Sequence, residues 1–252
     1  MLNRLINHLR WRRRMIQRIY WPQFWYALFL PGRVQSGPFS GMRYSRTATG
    51  SVVLPKLIGT YERELHPVLA ALNMAAYDLC VDVGAGEGYY AVGLCYRHPH
   101  LHMIAFESTA RGRKRLRALA HKNSVLERIS LRGHCTPAAL QVALQAGRRP
   151  LLIMDVEGAE EILLDPEVAP TLVATDFIVE VHPERNERLE QIISRRFEPT
   201  HRLERISQQA RKTLPGAVCL PRFLQAKAAY LMDEFRGPQF WLHGTVLAVQ
   251  AL

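Results

Sequence analysis

The stretch "LCVDVGAGEGYY" (79–90) constrains the chain more than any other. "LCVDV" reads as a strand buried on both faces, and it passes directly into a turn with glycine at 84, 86 and 88 before a helical pattern begins. A strand that turns through glycine into a helix is the opening unit of a doubly wound α/β sheet. The turn lies at the carboxyl edge of the strand, where such sheets bind ligands. Taken alone, the same turn also fits a tight connection that binds nothing.

The rest of the chain supports the sheet. Short apolar runs near 79–83, 101–106, 128–132, 150–155 and 176–181 alternate with helical patterns near 88–97, 110–122, 137–146, 158–164 and 184–195. This alternation predicts a parallel sheet wrapped by helices on both faces, a Rossmann-like arrangement. Thr136 before Pro137 reads as a helix N-cap and first helical position, and Ser108 or Thr109 can cap the helix upstream. After residue 196 the pattern loosens into a strand near 201–206, an irregular stretch, a helix near 222–235 and a final strand in 244–252. Residues 1–58 differ in kind, with an Arg-rich segment, then Trp21 and Trp25, then a Gly/Pro/Ser/Thr-rich connection. The expected organisation is a basic, aromatic extension over 1–58 and one α/β domain over 59–252.

Charge narrows the partners. Lys and Arg outnumber Asp and Glu by 33 to 22 in 252 residues. Two runs, 1–20 and 111–122, each hold six Lys or Arg and no acid, so the remainder is close to neutral. Nucleic acid, an anionic membrane face, or an acidic glycan or lipid would suit such a surface. The scattered Cys80, Cys95, Cys135 and Cys219 indicate neither a disulfide framework nor a zinc site, and a reducing cytosol suits them. The apolar stretch 21–30 is about half the ~20 residues that a spanning helix needs. Neither a signal peptide nor a transmembrane helix is expected. Residues 1–30 could instead lie as a basic helix with aromatic anchors on the inner membrane surface.

The loop selects its ligand. A dinucleotide fingerprint wants glycine at the sixth position, which here is Tyr89, and Glu87 would repel a pyrophosphate. S-adenosylmethionine (SAM) has no phosphate but carries a sulfonium and an ammonium, which nearby carboxylates favour. Asp82 is placed for its amino-acid end, with the loop residues Gly84, Ala85 and Gly86 beside it. Glu107 ends the second strand, next to Ser108, where a carboxylate can accept both ribose hydroxyls. The alternative for Glu107 is a solvated strand-end carboxylate.

"LLIMDVEGAEEILL" (151–164) places four carboxylates where an apolar strand ends. Glu160 and Glu161 read as first-turn residues that complement the helix dipole and face water. Asp155 is different, because the end of the fourth strand opens beside the first and can face the cofactor's positive charges, with Glu157 two residues on. In the fifth strand, "DFIVEVHP" (176–183), Glu180 and His182 share a face. His182 is the first candidate for general base and Glu180 the second, while the alternative for His182 is a packing role. Asp155, Glu157, Glu180 and His182 could also hold Mg or Mn, although strand ends alone do not fix coordination geometry.

The segments "CVDVGAGEGYYAVGL", "IAFESTA", "LIMDVEGAEEILL" and "FIVEVHP" resemble the FkbM-type SAM-dependent methyltransferases in order and spacing across 79–183. The resemblance implies a seven-stranded class I methyltransferase fold with an antiparallel last strand, and usually O-methylation of a sugar or polyketide hydroxyl; the expected acceptor is a hydroxyl of a sugar, glycan, or lipid-linked or secondary-metabolite molecule. It makes Gly84, Gly86 and Glu107 SAM contacts, and Asp155 and Glu157 active-site carboxylates. One departure follows the third strand. Such enzymes often present an acidic or amide side chain to the adenine, whereas "RGHCT" (132–136) offers His134 and Cys135. The rival reading, a nucleic-acid-binding protein or RNA methyltransferase using the basic surface, lacks the Asn/Asp-Pro-Pro-aromatic motif and any RNA-binding module.

Overall fold

The computed structural model describes residues 21–211, 213–237 and 239–247. The Arg-rich helix expected over the first twenty residues lies outside them. The described chain divides into two compact units, a larger one of 64–210 and 236–247 and a smaller one of 21–63 and 211–235.

The larger unit is built on a seven-stranded sheet ordered β3-β2-β1-β4-β5-β7-β6. Its strands are β1 (Leu79–Val83), β2 (His102–Phe106), β3 (Ile129–Arg132), β4 (Pro150–Met154), β5 (Asp176–Val181), β6 (His201–Ser207) and β7 (Phe240–Val246). The first five pair in parallel, and β7 runs antiparallel to both β5 and β6. Every residue of β1, β4 and β5 is buried, as a sheet covered on both faces requires. One face packs Val81, Phe106, Leu152 and Phe177 with helix residues such as Leu140 and Ile193, and the other packs Ile178 and Trp241 with Leu65. The strand order reverses beside β1, so the ends of β1 and β4 open onto one crevice.

The helices follow the sequence's own signals. Thr109 and Thr136 cap the helices Ala110–Lys122 and Pro137–Leu144, each side-chain oxygen accepting from the N–H three residues on. Two expected boundaries moved. The helix expected from 184 begins at Leu189, because Asn186 turns the preceding chain by accepting from the Arg188 N–H at 2.9 Å. The final strand occupies 240–246 and not 244–252. Its register sets Phe240 beside Val181 and buries Trp241, while residues 248–252 lie outside those described.

The smaller unit holds the helices Trp21–Leu28 and Val53–Ile58, followed late in the chain by Arg222–Gln225 and Ala228–Met232. The helix expected over 222–235 is thus two short ones. Buried Gln23 accepts from the N–H groups of Val53 and Leu54 at 3.2 and 3.1 Å, satisfying donors at the start of the second helix. Residues 211–235 are closed on themselves by a buried ion pair and tied to the N-terminal segment by hydrogen bonds, Arg211 Nε donating to the Thr60 carbonyl at 3.1 Å. Arg211 reaches Glu234 at 2.7 Å, and Glu234 also accepts the Glu62 N–H at 2.8 Å. Tyr61, buried in the same unit, stacks beneath Lys56.

Candidate active site

The glycine loop is fixed from two sides. The N–H groups of Gly84 and Ala85 both donate to the Phe106 carbonyl, at 2.9 and 3.0 Å, tying the turn to the end of β2. Across the turn, the Asp155 N–H donates to the Val83 carbonyl at 2.9 Å. Gly84 has φ +88°, and a Cβ there would lie 1.7 Å from the Asp155 carbonyl oxygen. Only glycine lets the loop pass so close to the chain leaving β4. This contact sets Asp155 beside the loop.

Glu107 closes the other side. Its Oε2 accepts the Gly86 N–H at 2.9 Å, while its Oε1 accepts the Thr109 N–H and hydroxyl at 2.7 and 2.6 Å. The carboxylate is therefore buried and braced, not the solvated strand end of the alternative reading. It orders the loop backbone and still has lone pairs to offer a nucleoside. Asp82 is buried within β1, and Ala85 is buried in the turn. Ser108 is exposed directly after Glu107, and His134 is exposed after β3.

The end of β5 carries the second half of the site. His182 is 0% exposed. Its Nδ1 lies 2.5 Å from Glu160 Oε1, and its Nε2 lies 3.6 Å from Asp155 Oδ1 and 3.7 Å from Glu180 Oε2. That Nε2 is buried and has no hydrogen-bond partner among the described residues. Burial works against the charged ring, but the Glu160 hydrogen bond and the charges of Asp155, Glu160 and Glu157 outweigh it and raise the His182 pKa. Glu180 is clamped from behind, its Oε1 accepting from Arg236 Nη1 at 2.6 Å, and Arg236 Nη2 also reaches Glu64 Oε1 at 3.4 Å.

Asp155, Glu180 and His182 thus converge, and Glu157 does not. Glu157 sits at φ +56°, its side chain mostly in solvent, with Arg185 at 3.7 Å. Glu160 departs from the sequence reading. It is 0% exposed and does not face water, whereas Glu161 is exposed and accepts from Asn186 at 2.8 Å. The signal was the helical spacing, since Glu160 shares a face with Leu163 and Leu164, both buried. Arg236 and Glu64 carried no sequence signal, as only the tertiary fold brings Arg236 to Glu180 and Glu64 to Arg236. One ligand atom each from Asp155, Glu180 and His182 lies within 4.8 Å of the others, a span that could close on a divalent cation. The Arg236 guanidinium on Glu180 already supplies positive charge there.

No protein-family model matches the sequence, and no curated protein matches it. Solved structures do. The O-methyltransferase TomG from Streptomyces achromogenes, in complex with SAM, superposes with a TM-score of 0.51 at 10% identity, over 74% of this chain and 80% of that one. Cofactor-bound Rv0187 from MTB gives a TM-score of 0.50 at 10% identity, over the same shares of the two chains. At such identity the likeness speaks for the fold, which is the Rossmann-like fold of the SAM-dependent methyltransferases.

Proposed function

We propose that the protein is a SAM-dependent O-methyltransferase of the FkbM type, with His182 as the general base. The observation that carries this reading is the buried imidazole, held at Nδ1 by Glu160, that points an unpartnered Nε2 between Asp155 and Glu180 next to the glycine loop. The cofactor occupies the loop of Gly84, Ala85 and Gly86, with Asp82 and Asp155 facing its positive charges, Glu107 and Ser108 at the ribose and His134 at the adenine edge. When bound, SAM supplies a methyl group on an activated sulfonium carbon.

For a hydroxyl acceptor, the chain must align the oxygen, exclude water and take one proton. With Nδ1–H donating to Glu160, the Nε2 lone pair would accept the hydroxyl proton as the methyl group passes to the acceptor oxygen and the electron pair of the broken carbon–sulfur bond returns to sulfur. Glu160 fixes the tautomer and stabilises the imidazolium that results, and Glu180, anchored by Arg236, is placed to hold the acceptor. A raised pKa means that the base works only when pH exceeds it, so turnover rises with pH through that value.

The acceptor class is a hydroxyl of a sugar, glycan or lipid-linked metabolite. A lipid-linked acceptor would be met at the cytoplasmic membrane surface, which the basic and aromatic residues 1–30 suit. Incubation of the protein with methyl-labelled SAM and fractionated bacterial extract should place label in glycan or lipid. Label confined to RNA would overturn the acceptor, and calorimetry without SAM binding would overturn the activity.

A further inference from the structure

The helix Trp21–Leu28 is amphipathic the wrong way round for a helix that only covers a core. Gln23 and Ala27 form its buried face, and Gln23 is bonded to the start of the helix Val53–Ile58. On the opposite side Trp21, Phe24, Trp25 and Leu28 recur at i, i+3, i+4 and i+7 and are 60%, 40%, 48% and 43% exposed. Phe29 continues the stripe at 56%. Phe223, nearly two hundred residues later, is 54% exposed and stands edge-on to Phe29 with ring centroids 5.2 Å apart. Water is an unfavourable surrounding for this much contiguous aromatic surface, and patches of this kind mark interaction sites.

We propose that this face, formed by Trp21, Phe24, Trp25, Leu28, Phe29 and Phe223, docks the protein on an anionic lipid bilayer. The residues immediately before it supply the second signal, since positions 1–20 hold six Arg and no acid. Trp and Phe favour the boundary between headgroups and acyl chains, and Arg residues close in sequence are drawn to anionic headgroups. Aromatic insertion and charge together give the two signals that stable peripheral binding needs. No helix among the described residues is long and apolar enough to cross a membrane, so the face lies on the bilayer. A second copy of the chain is disfavoured as occupant, because two proteins of formal net charge +11 each repel one another. A duplex polynucleotide would engage the arginines through its phosphates and leave the aromatic stripe in water. The surface does not depend on the methyl-transfer reading, but it would bring that site to lipid-linked acceptors.

The test is co-sedimentation of the full chain with vesicles of phosphatidylglycerol and phosphatidylcholine, alongside vesicles of phosphatidylcholine alone. Binding to the anionic vesicles, weakened by salt and accompanied by a blue shift of tryptophan fluorescence, is expected. Trp25→Ser combined with Phe223→Ser should lower partitioning at least about tenfold, since each large aromatic side chain moved out of water contributes on that scale or more. Both side chains are about half exposed, so the variant should keep the wild-type melting temperature and SAM affinity, which separates lost docking from lost folding. Equal partitioning of variant and wild type, or light scattering that shows a stable dimer lost in the variant, would overturn the proposal.

Discussion

Glu160→Gln removes the charge behind His182 and keeps its shape. Glu160 is fully buried, its Oε1 lies 2.5 Å from Nδ1, and its Oε2 has no hydrogen-bond partner among the described residues. Gln can present an amide oxygen to Nδ1–H in the same place. A hydrogen bond with a charged partner is worth about 1.5–3 kcal/mol against about 1 for a neutral one, so the imidazolium loses on the order of 1 kcal/mol relative to the neutral ring. Asp155 and Glu180 still face His182, with Arg236 behind Glu180, and the charge of Glu157 still acts on it from further out, so the raise is reduced and not abolished. A histidine whose folded pKa is raised contributes stability that is full below its ordinary pKa, about 6.5, and is lost as pH rises through the folded value. Glu160→Gln moves that loss to lower pH. The stability gap between wild type and variant should therefore be larger near pH 6 than near pH 9 by about 1 kcal/mol, a difference that urea denaturation at the two values can resolve. His98, His201 and His243, whose pKa values burial lowers, contribute with the opposite sign but equally in both proteins. Nuclear magnetic resonance of the histidine rings should show His182 alone titrating lower in the variant. An unchanged His182 midpoint together with a pH-independent gap would refute the coupling.

His182→Ala should leave SAM affinity nearly intact by calorimetry and lower turnover by ~10²–10⁴-fold, whereas Asp155→Asn should weaken SAM binding and turnover together. Gly84→Ala forces a Cβ to 1.7 Å from the Asp155 carbonyl at φ +88°, so SAM binding should be lost and the melting temperature should fall, by the equivalent of about 2 kcal/mol or more. Chelation should leave SAM binding and thermal stability unchanged; stabilisation by Mn²⁺ that disappears in His182→Ala would instead give Asp155, Glu180 and His182 to a metal.

Much of the sheet could be read locally. Strands β1 to β5 declare themselves as short apolar runs, and Thr109 and Thr136 announce helix starts through their own side chains. Gly84, Asp155, Glu180 and His182 sit at strand ends, and strand ends in a doubly wound sheet collect on one edge. Their convergence therefore follows from the alternation of elements once the strand order is known. Glu160 was misread because dipole complementarity and solvent exposure are local expectations, and what buries it is His182, 22 residues away. Arg236 meets Glu180, and Glu64 meets Arg236, only through the insertion of β7 beside β5 and the packing of 64–72 on that face of the sheet. Residues 211–235 group with the N-terminal segment because Arg211 donates to the Thr60 carbonyl and Glu234 accepts the Glu62 N–H. The sequence by itself determined the α/β alternation, the glycine loop and the carboxylates at the strand ends, since each is encoded within a few residues by periodicity and turn chemistry. Tertiary structure alone decided which carboxylate holds His182, what neutralises Glu180 and which aromatic side chains remain in water, because burial and charge pairing depend on neighbours that lie far away along the chain.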